Sequence, residues 1–289
     1  ASSFTGGGDI VIGGGLPDPQ DPSRPSGFAV GTGTAENVTA TNETSGVQLG
    51  TLGTANSGAK LYSSGGDITV RGKLAPNVGT SWGHGISAVS GMVFDSGQGK
   101  VLLVGETSPG STPDDTGRGV GIIRLNNSNG SSTIRSISTA SDSIVLEGRQ
   151  PSPTPYGIYT LNTGTTIDTP GGFVIRTNLV SSGLGLSLSV SGDVVIEPQN
   201  GSLRDTPNGT SFDLDVANSG TNQSLLLVRQ PTNIRVGSTG NLNTITANST
   251  FQTSASIEVR AAGVNVTANV TVNGLGGRML LIQDTLTLS

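Results

Sequence analysis

The chain has one histidine, twenty carboxylates, fifteen cations and no cysteine, so the chemistry open to it depends on which of these stand together. His84 lies between Gly83 and Gly85. A serine triad would depend on it, yet no Gly-x-Ser-x-Gly elbow leads into a helical stretch. Two later copies of the surrounding sequence carry Val120 and Tyr156 in the same slot, and a position open to all three types reads as packing or surface variation. Asp114-Asp115 with Arg118 is the local group closest to a carboxylate pair for cutting polysaccharides. It sits in a proline- and glycine-containing insert and reads as a solvated loop.

Asp9, Asp67 and Asp193 each follow a glycine and precede a β-branched run. A row of carboxylates would suit a metal ion, but glycine with a following aspartate is also turn chemistry, because aspartate accepts hydrogen bonds from nearby backbone; the turn is the simpler reading. Calcium loops of the Gly-Gly-x-Gly-x-Asp type do not recur. Gly13-Gly14-Gly15 lacks the Lys-Ser/Thr of a phosphate loop. No metal or cofactor is expected. Arg71, Arg176, Arg229 and Arg260 recur just after strand-like runs. In a stacked coil they would line one corner and attract anionic glycans, although a charge ending a strand is ordinary surface design. Asn-x-Ser/Thr sequons at Asn37, Asn42, Asn126, Asn129, Asn208, Asn222, Asn248, Asn265 and Asn269 are candidate glycosylation sites.

Composition limits the scaffold that holds these groups. Aromatic residues are 3% and charged residues 12%, against about 25% charged in an ordinary globular domain. Glycine reaches 45 of 289 residues. The apolar residues are mostly Val, Ile and Leu in runs of a few residues, which favour strands, with Gly, Asn, Asp and Ser marking corners. No stretch keeps helical apolar spacing, so no long helix is expected. No apolar run approaches the roughly 20 residues of a membrane-crossing helix, and no membrane insertion by this chain is expected. The net charge of −5 and the scattered cations argue against a nucleic-acid partner. The opening Ala-Ser-Ser suits a mature chain cut after a small residue.

A repeated order of segments organises residues 83–177. Gly83-His84-Gly85-Ile86, Gly119-Val120-Gly121-Ile122 and Tyr156-Gly157-Ile158 open three units, and with the glycine before isoleucine as marker the intervals are 121 − 85 = 36 and 157 − 121 = 36. Each unit continues with a short β-branched segment (Gly91 to Phe94, Thr133 to Ser136, Thr166 to Thr169). A stronger apolar run follows (Lys100 to Gly105, Ser143 to Gly148, Gly172 to Thr177). A fixed period of this size is the signature of a solenoid.

Outside that region Ile10 to Ile12, Phe28 to Val30, Val47 to Leu49, Ile68 to Val70, Leu184 to Val190 and Phe212 to Val216 read as strands. So do Leu225 to Val228, Ile234 to Val236, Ile245-Thr246, Ile257 to Val259, Val264 to Val272 and Met279 to Ile282. Residues 16–26 hold Pro17, Pro19, Pro22 and Pro25, which cannot sit in a ladder, and read as an excursion from the coil. The runs Ser224 to Arg229 and Ser256 to Arg260, 256 − 224 = 32 residues apart, read as further copies of the unit. Thr285, Leu286, Thr287 and Leu288 alternate as a last strand whose unpaired edge would recruit others.

Gly65 to Gly72 (Gly-Gly-Asp-Ile-Thr-Val-Arg-Gly), Ser143 to Gly148 (Ser-Ile-Val-Leu-Glu-Gly) and the Gly-Ile units resemble the filamentous-haemagglutinin-type exoproteins and autotransporter passengers of bacterial surfaces, over residues 60–289. The resemblance implies a right-handed parallel β-helix, secreted or displayed at the cell surface, working in adhesion or an extracellular matrix. No amino-terminal secretion module or carboxy-terminal membrane barrel is recognisable. The expectation is one all-β domain over residues 1–289, a right-handed parallel β-solenoid of roughly ten to twelve rungs stacked at about 4.8 Å. Val, Ile and Leu would point inward, and Ser, Thr, Asn and Gly outward. Its function would be structural or adhesive and non-enzymatic, with other copies of itself or surface glycans and receptors as partners. The alternative is a polysaccharide lyase or hydrolase built on the same coil.

Overall fold

A computed structural model describes residues 7–14, 27–31, 44–50, 54–74, 83–89, 91–107, 121–126, 130–149, 156–161, 164–180, 185–205, 211–214, 216–217, 225–238, 243–247, 251–266, 270–273 and 276–283. Among them the protein is all-β, with no helix. Every pairing between its strands is parallel. Parallel neighbours cannot be joined by a tight hairpin. The chain instead leaves each strand for another sheet and returns one position further along.

The largest sheet places nine strands in line: Ile10–Ile12, Ile68–Leu74, Val101–Thr107, Ile144–Arg149, Phe173–Arg176, Val194–Glu197, Asn233–Gly237, Ser256–Ala261 and Met279–Gln283. A tenth, Ala29–Gly31, continues the line of Ile10–Ile12, the first pairing with residues 72–74 and the second with residues 68–70 of the one strand Ile68–Leu74. The two ends of the proline-containing segment therefore belong to one layer, and residues 16–26 themselves lie outside the described residues.

A seven-stranded sheet contains Lys60–Tyr62, Val93–Asp95, Ser132–Arg135, Thr165–Thr169, Leu186–Val190, Leu225–Leu227 and Val216–Ala217. A four-stranded sheet contains Thr44–Leu49, Gly83–Val89, Gly121–Asn126 and Tyr156–Leu161. Smaller sheets hold Ser211–Leu214, Thr244–Ala247 and Gly263–Val266, and Phe251–Thr253 with Val270–Val272. From Thr44 to Arg176 the chain visits the four-, seven- and ten-stranded sheets in that order, four times over.

Register turns these visits into columns. In the large sheet Ile10, Ile68, Val101, Ile144, Phe173, Val194, Ile234, Ile257 and Met279 form one inward column. Two residues on, Ile12, Val70, Leu103, Leu146, Ile175, Ile196, Val236, Val259 and Leu281 form the next. Both are apolar at every layer. They meet Phe94, Ile134, Ile167 and Leu188 of the second sheet and Ile86, Ile123 and Ile158 of the third in one buried core that runs from Val47 to Ala261.

The spacing of these columns corrects the 36-residue period. Ile86 pairs with Ile123, and Ile123 with Ile158, so the intervals are 123 − 86 = 37 and 158 − 123 = 35. The second marker is therefore Ile123, not Ile122. Strand side chains alternate faces, and a slip of one residue would have turned the whole strand inside out. In the large sheet the column numbers 68, 101, 144, 173, 194, 234, 257 and 279 differ by 33, 43, 29, 21, 40, 23 and 22. The shortest steps give the length of a bare layer, and longer ones carry inserts. The runs 224–229 and 256–260 belong to different sheets and are not copies of one unit.

Two further expectations change. Ser63, Ser96, Ser132, Ser136, Ser143, Thr165, Thr169 and Thr177 are buried rather than outward. At the corner between the second and large sheets, Ser96 Oγ donates to Gly99 O at 2.7 Å and Ser136 Oγ donates to the same carbonyl at 2.7 Å. Ser143 Oγ donates to Ala140 O at 2.7 Å, and Ser63 Oγ donates to Gly66 O. A sharp corner leaves carbonyls that no ladder reaches, and a hydroxyl is the smallest side-chain donor that can satisfy them.

Glycines also face inward. Gly72, Gly105 and Gly148 form a column in the large sheet that meets the four-stranded sheet at Gly85 and Gly157. A Cβ at Gly72 would lie 1.9 Å from Gly85 O, and one at Gly148 would lie 2.6 Å from Gly157 Cα. The glycine before isoleucine in the first and third units exists because two backbones touch there.

Candidate ligand-binding face

The outward columns of the large sheet are where side chains of several layers converge. One runs Thr69, Leu102, Val145, Val174, Val195, Arg235, Glu258, Leu280. Its middle is apolar, and Val145, Val174 and Val195 form a small cluster with Leu102, buried although outward-facing. The next outward column begins Arg71, Val104, Glu147, Arg176, Glu197 and resumes at Gly237 and Arg260. Three of the four arginines singled out in the sequence therefore share a column, while Arg229 follows a strand of another sheet.

Acids interleave these cations. Arg176 contacts Glu197 at 2.8 Å and Glu147 at 3.4 Å, and Glu147 accepts from Arg149 Nε at 2.6 Å. Burial works against the Arg176 charge, but the hydrogen bonds and the fields of Glu197 and Glu147 outweigh it and hold its pKa above the ordinary arginine value. Lys73 pairs with Glu106 at 2.5 Å and Lys100 with Asp142 at 2.7 Å. On the second sheet Arg135 lies between Asp95 and Asp168, at 3.4 and 3.5 Å. Lys73, Lys100, Arg135, Arg149 and Arg176 are thus each neutralised by a neighbouring carboxylate and leave no spare positive charge for a ligand.

The pattern breaks over the last four layers. Asp193, Asn233, Arg235, Ser256, Ile257, Glu258, Arg260, Arg278 and Leu280 enclose an open cleft of about 500 Å³. Asn233 Nδ2 donates to Asp193 Oδ1 at 2.7 Å, and Arg260 Nε donates to Glu258 Oε1 at 2.5 Å. The exposed Arg235 and Arg278 have no acidic partner among the described residues. Asp193 and Asn233 stand one residue before the inward column, Arg235 and Glu258 one residue after it. Both positions face out, and stacking brings them within one cleft. Sequence reasoning missed this site because 87 residues (280 − 193 = 87) separate its ends, and only the unequal layer steps show which residues meet.

The other candidate residues fall as follows. His84 is fully buried in the strand Gly83–Val89 and has an interaction partner, so it is packed away from any macromolecular substrate. Asp9 and Asp67 accept backbone hydrogen bonds, Asp67 N to Asp9 Oδ1 and Lys100 N to Asp67 Oδ1, both 2.8 Å. In both bonds the backbone served is that of the next layer. No group of three metal-ligating side chains exists among the described residues.

Asp114, Asp115 and Arg118 lie outside the described residues, as do Asn37, Asn42, Asn129, Asn208, Asn222, Asn248 and Asn269. Asn126 closes the strand Gly121–Asn126, and Asn265 lies within Gly263–Val266. A further sequon, Asn200-Gly201-Ser202, is readable from the tripeptide alone. Asn200 is exposed, accepts from Asn178 Nδ2 at 2.6 Å, and precedes Gly201 at φ +81°. Thr285, Leu286, Thr287 and Leu288 also lie outside the described residues, and the edge strand there is Met279–Gln283.

Fold and face together define an all-β protein of large parallel sheets around one stacked core, with a polar cleft on its outer surface. Compared with protein-family models, curated proteins and solved structures, the chain matches none.

Proposed function

We propose that the chain winds as a right-handed parallel β-helix and serves as a non-enzymatic structural and adhesive element of an extracellular surface or matrix, adding end to end to other copies of itself. Three sheets visited in a fixed order around one core support the winding. Its right hand is the one that strand twist favours for parallel crossovers. The secreted setting accords with the resemblance of its repeats to bacterial surface exoproteins.

The observation that carries the self-association is the strand Met279–Gln283. It pairs on one side only among the described residues, with Ser256–Ala261, and Met279, Leu280, Leu281 and Ile282 are 37–49% exposed. An exposed apolar strand edge is a template for another strand. The opposite end of the same sheet offers Ile10–Ile12, with Val11 51% exposed. Parallel stacking of that strand on Met279–Gln283 of a second copy sets Ile10 over Met279 and Ile12 over Leu281, so both inward columns continue. Such a contact is heterologous, and its repetition gives an open filament.

Negative-stain electron microscopy and light scattering of the full chain, over a range of concentrations, test this. Filaments that Leu281→Lys disperses without loss of β-sheet circular dichroism are the expected result. Monomers at all concentrations would refute end-to-end assembly. Release of reducing ends or unsaturated uronates from a polysaccharide panel would replace the reading with an enzymatic one.

A further inference from the structure

We infer that the cleft between Asp193 and Leu280 binds an acidic polysaccharide, with Arg235 and Arg278 as the groups that hold its carboxylates or sulfates. The inference rests on the adhesive reading and names the ligand class that reading leaves open. Its basis is the contrast along one sheet face. Lys73, Lys100, Arg149, Arg176 and Arg260 each reach a carboxylate within 2.8 Å. Arg235 and Arg278 reach none among the described residues, although Glu258 stands beside Arg235 in register. Glu258 is instead turned to Arg260 at 2.5 Å, and Asp193 to Asn233 at 2.7 Å. Two guanidiniums are thus left facing one cleft, each with a planar fork of donors that matches a carboxylate or sulfate edge.

The rest of the lining narrows the ligand. Asp193 and Glu258 place acceptors beside the guanidiniums, and Ser256 adds a hydroxyl. A ligand that satisfies both kinds of group carries anions and hydroxyl donors on one chain, as uronic-acid and sulfated polysaccharides do. A nucleic acid presents a denser row of anions with fewer hydroxyls, which Asp193, Glu258 and the net charge of −5 oppose. An acidic peptide would look for main-chain partners, but beneath the cleft Val194–Glu197, Asn233–Gly237 and Ser256–Ala261 are spent in ladders on both sides, and among the described residues there only Met279–Gln283 keeps a free edge. Among the described residues no aromatic side chain lines the cleft, so ion pairing and hydrogen bonds carry the binding, and salt weakens it.

The test uses the full chain with four probes in calorimetry at low and physiological salt: polygalacturonate, heparin, dextran and poly-glutamate. Binding of polygalacturonate or heparin, absent with dextran and weaker with poly-glutamate, is expected. The first two probes distinguish carboxylate from sulfate recognition. Arg235→Ala with Arg278→Ala weakens that binding roughly tenfold or more, the weight of one or two charge-assisted hydrogen bonds. Lys60→Ala, an exposed cation on another sheet, leaves it unchanged. Equal binding by the double variant, equal binding of dextran, tighter binding of poly-glutamate, or no binding of either polyanion would each overturn the inference. Both arginines are exposed, so an unchanged melting temperature certifies that the double variant is folded. Filament formation is scored without saccharide, so failure of assembly and failure of binding stay distinguishable.

Discussion

Gly72→Ala is the sharpest perturbation of the stack, because one methyl group sets two opposing effects against each other. In an open extended strand the change stabilises by about 0.5–1 kcal/mol, through lower entropy of the unfolded chain. At Gly72 the new Cβ would stand 1.9 Å from Gly85 O, 2.8 Å from Gly85 C and 3.0 Å from Val47 N. All three atoms are backbone of the four-stranded sheet. None can rotate aside, so the two sheets must separate at that layer. Overpacking of this kind costs about 1–3 kcal/mol or more, and with only backbone to displace the upper end applies.

The net loss is therefore about 2–3 kcal/mol after the entropic gain is set against it. At about 2.1 cal/mol/K per residue, unfolding 289 residues carries an entropy of about 0.6 kcal/mol/K, and the melting temperature falls by about 3–5 °C. Gly8→Ala is the matched control, since its Cβ would meet nothing within 4 Å. Thermal denaturation followed by circular dichroism at the β-sheet band measures both. A Gly72→Ala melting temperature within about one degree of the parent, or a fall no larger than that of Gly8→Ala, would refute the backbone contact.

Phe173→Ala removes a side chain with no exposed surface from the inward column and is expected to cost about 3–5 kcal/mol, read from the urea midpoint. Asp67→Ala takes the acceptor from Lys100 N–H and should cost about 0.5–2 kcal/mol. Asp67→Asn keeps the acceptor oxygen, and amide exchange at Lys100 separates the two variants. Glu147→Gln leaves Arg149 and Arg176 sharing a neutral partner, with Glu197 still serving Arg176. Both arginines keep some solvent, so a loss of about 1–2 kcal/mol is expected, and a double-mutant cycle with Arg149→Met isolates the pair.

The strands of the large sheet are legible because their two inward columns are apolar in every layer, and runs such as Ile144-Val145-Leu146 are apolar on both faces. Their order is legible too, since Gly-Asp before Ile10, Ile68 and Val194 marks one entry corner. Register was not. Gly121-Ile122-Ile123 offers two isoleucines to one slot, and only pairing with Ile86 and Ile158 chooses the second. From sequence the buried serines look solvent-facing, because a hydroxyl's partner, here a corner carbonyl such as Gly99 O, is set by tertiary geometry. The cleft was illegible for a related reason. Asp193, Asn233, Glu258 and Arg278 have ordinary neighbours in sequence, and layer steps of 40, 23 and 22 residues bring them together.

A parallel stack places each outward residue about 4.8 Å from its counterparts above and below, so like charges in one column oppose each other at short range. Glu147, Arg176 and Glu197 resolve this by alternating sign. Arg235, Glu258 and Leu280 begin the same alternation, but Glu258 is engaged sideways by Arg260, two residues along its own strand. Ion pairing within a layer thus competes with ion pairing between layers, and where the first wins the next layer's arginine is left with solvent. Replacing Arg260 by methionine should release Glu258 to Arg235, raising stability across that layer while lowering affinity for a polyanion. A variant that changed both in the same direction would refute the competition.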